Sequence, residues 1–259
     1  RFGPLSQREE SFGSFLGKVP GVTQSERGYT TMSNKYRADL WDGTVRGWLP
    51  KELRGQRFES LDELIQATGR SKEDFTRLAN WYNITTGRGN IGTFLKSNNK
   101  WLNAAFFAPR FTVSLFEAPL TGAYYGIRGS NAIRKAVARD MVGFVGGSMA
   151  LMFGLDQLPG VEVETDWRSA DFGKARYGNL RWDVLGGYAP IISFVGRQLT
   201  NESKNSDTGR VSQVNRAEVV SNFIMQRLNV ATQEAGQQVL TGYDPFGGGP
   251  VSNWGQKNM

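Results

Sequence analysis

The sequence predicts a mainly α fold: an irregular multi-helix body with a small inserted β-hairpin and extended Gly-rich terminal arms. Three observations carry this. Two serine-led capping boxes open runs with apolar residues on one helical face. One stretch, near 161–186, switches to period two around Gly178-Asn179, a two-residue hairpin signal. Glycine crowds both ends, as Gly3, Gly13, Gly17 and Gly21 at one and Gly247, Gly248 and Gly249 at the other.

Residues 1–30, with Pro4 and Pro20, read as extended chain with short turns. A first helix is expected over Thr31–Leu49, stopped by Pro50. Ser60 and Glu63 form a capping box before Leu61, Leu64 and Ile65, and Gly69 ends that helix. Ser71 opens the next, with Phe75, Leu78, Ala79 and Tyr82 at i, i+3, i+4 and i+7. Thr86-Gly87-Arg88-Gly89 breaks it. A helix from Asn90 towards Ala108 follows, and Pro109 and Pro119 bracket a short aromatic segment, Phe111 to Phe116.

Ser130 starts a further helix that begins basic, with Arg134, Lys135 and Arg139. It then carries no charge from Met141 to Leu155. A membrane span needs about 20 apolar residues, so this stretch is short, and length favours a buried core helix. The spacing of Gly143 and Gly147 also permits close approach of another helix. Burial in the core or between subunits is therefore expected, with membrane insertion as the alternative.

Val161 and Val163 then alternate with Glu162 and Glu164. Leu180, Trp182 and Val184 would share one face of a strand, opposite Arg181 and Asp183. A helix restarts near Tyr188 with Pro190 in its first turn. Residues 200–214 read as a polar loop. Asn215 and Glu218 cap a long helix that fades near Gly242, and the tail Tyr243–Met259 should be mobile in isolation, so a neighbouring subunit is expected to hold it. The organisation is thus 1–83, an arm plus helices; 84–242, a helical module with the hairpin; and 243–259, a tail.

The 259 residues include 31 Lys plus Arg against 24 Asp plus Glu, for a formal charge of +7. The chain has no cysteine and no histidine. Disulfides, thiolate or imidazole metal ligands, thiol nucleophiles and the usual histidine base are excluded. The mild, dispersed basic surplus permits proximity to nucleic acid without demonstrating it.

Motifs with chemical content are sparse. Gly87-Arg88-Gly89-Asn90 either offers backbone amides and a guanidinium to an anion or is a plain linker. Glu162, Glu164 and Asp166 alternate as on one strand face, where three oxygens suit a hard cation or simply face water. Arg176-Tyr177 and Arg181-Trp182 interleave as in base-stacking surfaces, unless the aromatic face packs on helices. No catalytic constellation, cofactor site or metal site is expected.

The stretch Val161 to Lys174 followed by Tyr177 to Gly187, with Thr86-Gly-Arg-Gly89, Phe107-Ala-Pro-Arg-Phe111 and Leu240-Thr-Gly-Tyr-Asp-Pro-Phe-Gly247, resembles a large polyvalent-protein-associated domain. Members of that family lie near the C-terminus of very long bacteriophage proteins, and the resemblance covers about 84–250. It implies a module packaged in the virion and delivered with the genome, and it brings no catalytic residues. The positions that define the module are Arg88, Pro109, Arg110, Asp166, Arg168, Asp171, Gly173, Gly178, Asn179, Asp183, Gly186 and Gly187. Trp167 departs from the pattern, which has a small residue or proline there, so a different turn after Asp166 is expected. The start at Arg1 fits a segment of a longer polypeptide.

The expected function is a non-enzymatic virion component. It would form the C-terminal part of an internal or ejection protein, present in several copies near the portal or tail channel. Its expected partners are further copies of itself, portal or tail proteins and packaged DNA through non-specific contact. The expected location is the virion interior, then the host envelope or cytoplasm. Two alternatives stand beside it: a membrane-docking or channel-forming segment after ejection, and an intracellular DNA-associated effector.

Overall fold

The computed structural model describes residues 22–90 and 109–227. The expected helix after Asn90, residues 1–21 of the N-terminal arm, the C-terminal tail and the Leu240–Gly247 stretch lie outside the described residues. Helix makes up 62% of what is described, in seven helices with two small antiparallel sheets, so the chain is mainly α. Residues 22–90 and 110–150 form one compact unit and 151–227 belong to another. Both sides of the 83/84 boundary lie in the first unit.

In the first unit, α1 spans Val22–Trp48 and starts well before the expected Thr31. Gly28, the glycine inside the added stretch, costs a helix only about 1 kcal/mol. A 3-10 turn, Lys51–Leu53, follows Pro50. Helix α2, Leu61–Thr68, has the expected Ser60 cap, with Glu63 N–H donating to Ser60 Oγ at 3.2 Å, but the Glu63 carboxylate reaches back one residue further than in a capping box and accepts from Glu59 N–H at 2.9 Å. Helix α3, Lys72–Thr85, starts with Asp74 N–H donating to Ser71 Oγ at 3.2 Å.

The segment expected to be a short aromatic stretch between prolines is instead a continuous helix, α4, Pro109–Arg128. Pro109 stands at the first helical position, where its missing N–H costs nothing. Pro119 lies inside and would cost about 3 kcal/mol on its own. The buried positions Leu115, Ala118 and Tyr125 offset that cost. Gly122 belongs to the same face, and a Cβ there would lie 2.7 Å from Met141 Sδ. Helix α5, Asn131–Asp156, then begins with Ile133 N–H directed at Ser130 Oγ.

The core of this unit gathers Trp41 and Val45 of α1, Leu64 of α2 and Phe75, Leu78, Trp81 and Tyr82 of α3. Tyr125 of α4 and Ile133, Ala136 and Val137 of α5 complete it. Phe75 is flanked by Trp41 and Trp48, with ring centroids 5.9 and 5.5 Å away.

In the second unit, strands β1 (Val161–Val163), β2 (Lys174–Tyr177) and β3 (Leu180–Asp183) form an antiparallel sheet in that order. Tyr177 pairs with Leu180 across the Gly178-Asn179 turn, and Gly178 has φ +57. Helix α6 is Ala189–Thr200, with Pro190 in its first turn as expected. Residues 200–214 are not a plain loop: β4 (Glu202–Lys204) pairs with β5 (Val211–Gln213). Asn205 Oδ1 accepts from Asp207 and Thr208 N–H at 2.9 Å and so organises the connecting turn. Helix α7, Arg216–Met225, has the expected Asn215 cap on Ala217 N–H but ends at Gln226, short of the expected Gly242. Phe223 stacks on Phe194 of α6 with centroids 4.4 Å apart.

Candidate functional site

Arg88 and Arg110 are part of the frame of the first unit. Gly87 N–H bonds Ile84 O, Arg88 N–H bonds Asn83 O and Gly89 N–H bonds Arg110 O. Asn90 N–H bonds the Glu117 carboxylate at 2.6 Å. All four amides are consumed internally, which removes the anion-cradle reading. The buried Arg88 guanidinium donates to Asn34 Oδ1 at 2.9 Å. Arg37 donates to Thr86 through Oγ1 at 2.6 Å and the carbonyl at 2.9 Å. A Cβ on Gly89 would sit 2.6 Å from Arg110 O. The motif fastens the end of α3 to α1 and to the first turn of α4, which opens at Pro109.

The second unit brings together Asp166, Arg168, Asp171, Gly173, Gly178, Asn179, Asp183, Gly186 and Gly187 around the three-stranded sheet. Arg168 holds the Asp166 carboxylate with Nε at 3.0 Å and Nη2 at 2.8 Å, and reaches Glu202 with Nη1. That guanidinium holds the Asp166 pKa down to about 2. Lys204 Nζ bonds both oxygens of Glu164, at 2.9 and 2.8 Å. Asp171 receives Lys174 and Arg181, each at 2.8 Å. Asp183 accepts from Leu185 and Gly187 N–H at 2.9 Å and so shapes the turn that leaves β3 with Gly186 inside it. At Gly173, φ is +71 and an added Cβ would collide with the Leu185 side chain.

The turn after Asp166 accommodates Trp167. Ser169 N–H bonds Asp166 O at 2.9 Å across it. A Cβ on Gly196 of α6 would lie 2.8 Å from the Trp167 carbonyl oxygen, so glycine permits that approach.

Two chemical expectations change here. Strand β1 ends at Val163, and the Glu164 and Asp166 carboxylates are engaged by Lys204 and Arg168. No group of three potential metal ligands occurs among the described residues. The register also pairs Arg176 with Arg181, while Tyr177 faces Leu180 and Ala175 faces Trp182. Arginines and rings therefore stand on opposite sides of the sheet, and no mixed stacking surface forms. Nor is the ring face covered by helices, since Leu180 is 59% exposed and Tyr177 and Trp182 are about half exposed. The opposed arginines are bridged by Asp207, 3.7 Å from Arg176 and 3.3 Å from Arg181.

Gly143 and Gly147 lie in the region that most departs from expectation. The first half of α5 is anchored through Ala132, Ile133, Ala136 and Val137. At its end, Trp81 Nε1 donates to Asp140 at 3.1 Å, and Arg139 Nη2 donates to Thr44 Oγ1 and Tyr82 OH, both at 3.1 Å. Burial raises the Tyr82 pKa and keeps the phenol protonated. Beyond Met141, whose side chain lies against Gly122 of α4, burial becomes sparse. Among residues 141–151 only Ser148 is buried, and Val142 and Phe153 are each 71% exposed. Among the described residues, then, this stretch is not buried in a core. A helix apolar on all sides needs a covering on all sides. Within the described residues, the second half of α5 lacks the covering that the first half has.

Gly143, Gly146, Gly147 and Gly154 have nothing within 4 Å of an added Cβ. Each costs the helix about 1 kcal/mol relative to alanine. Sequence reasoning missed a further apolar stripe, Leu120, Tyr124 and Ile127 on α4, all exposed. Its i, i+4, i+7 spacing is legible once Pro119 is allowed inside a helix.

Comparison with protein-family models, curated proteins and solved structures finds no match to this chain.

Proposed function

We propose that this chain is a non-enzymatic bacteriophage virion component, the C-terminal part of an internal or ejection protein. It assembles in several copies near the portal or tail channel and travels with, or guides, the genome. The observation that carries the assembly part is the second half of α5, uncharged and exposed although the first half is firmly anchored. The phage setting rests on the resemblance of 84–250. Within the described residues, Arg88, Asp166, Arg168, Asp171 and Asp183 each bond within their own unit. The net charge of +7 lets the chain sit beside packaged DNA, with salt-sensitive, non-specific contact through dispersed Arg and Lys.

Quantitative peptide mass spectrometry on purified particles tests this, before and after triggered genome release. Peptides present in full particles and lost from emptied ones mark an ejected protein. Equal amounts in both mark a fixed portal or tail part, and absence from both sinks the reading.

One observation favours membrane docking after ejection as a second reading. Helix α5 is the one described helix long and apolar enough to cross a bilayer, with 22% of its most apolar window buried. Flotation of the chain with anionic liposomes tests it, and no binding at any lipid composition removes it.

A further inference from the structure

We infer that the corner between α4 and α5, through Arg128, Arg134 and Lys135, binds the phosphate backbone of duplex DNA. This deepens the genome-contact reading above, rests on it and locates that contact.

The positive charge of the chain is concentrated. Residues 75–139 carry nine Lys plus Arg and one acid, Glu117. That stretch holds +8 against +7 for the whole chain, so the remaining residues sum to −1. Glu117 is itself taken by Asn90 N–H. Most of the described cations in this stretch are engaged or withdrawn. Arg88 is buried against Asn34, Arg110 is half-buried, Arg139 pairs with Asp140 and Arg77 pairs with Glu73. Among the described residues, Arg128, Arg134 and Lys135 are the cations of this stretch that are exposed and form no ion pair.

The fold presents these three on a tight corner. Only Gly129 and Ser130 separate α4 from α5. Gly129 N–H closes α4 on Tyr125 O at 2.8 Å, and an added Cβ there would lie 2.4 Å from that oxygen. On α5, Ala132, Ile133, Ala136 and Val137 are buried, which leaves Asn131, Arg134, Lys135 and Ala138 on the outer face. Arg134 Nη2 donates to Ile127 O at 2.6 Å and Arg77 Nη1 to Arg128 O at 3.1 Å. Two guanidinium groups are thus held at consecutive carbonyls where α4 ends. Arg134 keeps further N–H groups for a phosphate oxygen.

This placement runs against what helix stability alone favours. Helices α2 and α3 each carry two acids in the first turn, as the helix dipole prefers. Helix α5 has none there and meets Arg134 and Lys135 as its first turn closes. Cations near the positive end of a helix are unfavourable for the helix and well placed for an anion.

The partner is a polyanion. A second copy, at +7, does not supply one. Nor does the rest of the chain, since the residues outside the described ones carry six Lys plus Arg against four acids. Duplex DNA presents about one charge per 1.7 Å of its axis, and the arginine fork matches phosphate oxygens. Anionic lipid is the competing source, because Tyr124 and Ile127 at the end of α4 are exposed. The outer face where α5 begins favours DNA, since Asn131 and Ala138 beside its cations offer nothing to insert into a bilayer.

The test titrates the full chain onto a short mixed-sequence duplex at a series of salt concentrations, read by fluorescence anisotropy. Arg128→Gln, Arg134→Gln and Lys135→Gln combined should weaken binding at least about tenfold at low salt. They should also flatten the slope of log affinity against log salt by about two to three. Lys51→Gln, Arg57→Gln and Arg210→Gln combined remove the same charge from exposed positions elsewhere. That control should change affinity by less than about twofold. Circular dichroism checks that both triple variants fold. Lys135→Glu puts an acid where the α5 dipole favours one, so its Tm should hold while DNA binding weakens.

Equal losses in the two triple variants overturn the inference, as does a wild-type chain that leaves DNA unbound. So does a chain that prefers phosphatidylcholine–phosphatidylglycerol vesicles to DNA and loses vesicle binding in the corner variant. Particle spectrometry separates this failure from that of the virion reading. Peptides in particles without corner-dependent DNA binding sink this inference alone, and corner-dependent DNA binding without peptides in particles sinks the virion reading alone.

Discussion

The two units are held by different forces. In the first, Leu78 and Ile133 are fully buried among tryptophans, phenylalanine and tyrosines, and helices from distant parts of the sequence share one apolar interior. In the second, the buried apolar residues among those described are four, Ala175, Leu185, Ala189 and Ile191, while carboxylates and guanidinium groups define the turns. Apolar burial tolerates approximate geometry, whereas a turn built on one carboxylate does not. This difference explains why charged residues and glycines hold the turns of the second unit. Those are the positions where another residue type has no equivalent.

The comparison breaks most severely at Ile133. Ile133→Ala should cost about 2–5 kcal/mol in urea unfolding followed by tryptophan fluorescence, because the cavity opens where α3, α4 and α5 meet. A loss under about 1 kcal/mol would mean the first unit is no better packed than the second. Arg168→Ala comes next, with a smaller loss in the same assay, since Asp166 and Glu202 both lose their partner in a solvent-screened cluster. Its loss should shrink in an Asp166→Ala background, and strictly additive losses would argue against a coupled cluster.

Acid gives a smaller and selective effect. The Asp166 pKa is about 2 in the folded chain against 3.8 ordinarily, so the folded value is depressed. Its stabilisation is complete above the ordinary value and fades as pH falls from about 4 towards 2. Amide exchange at the sheet and the β4–β5 hairpin should accelerate across that window while the α2–α3 amides stay protected. Equal acceleration in both would contradict the contrast. The smallest effect is expected at Ser71→Ala, about 1 kcal/mol by the same urea assay, from the lost cap on α3.

Local chemistry was legible from sequence wherever a side chain acts on its own neighbourhood. Ser60, Ser71 and Asn215 cap as their types require, and Gly178-Asn179 turns as expected. Features that depend on distant residues were not legible. Pro119 hides α4, because only packing against α3 and α5 offsets a proline inside a helix. Glu202-Ser-Lys204 and Val211-Ser-Gln213 are too short and too polar to show a strand period, yet they pair. The candidate surface was legible as uncharged and rich in glycine, but not as exposed. Hydropathy reports that Met141–Leu155 avoids water, and only the fold tells whether its own chain does the covering.

Helix α5 also has a mechanical consequence. It is one unbroken rod, clamped near Asp140, and Phe153 lies about 20 Å along the axis from the clamp. A load applied at the far end therefore acts as a torque on Asp140 and Arg139. Nearby apolar contacts slide with little change in energy, but the bonds to Trp81, Thr44 and Tyr82 are directional and weaken with small rotations. Those three polar contacts therefore resist rotation of α5 about Asp140 more than the apolar contacts around them do.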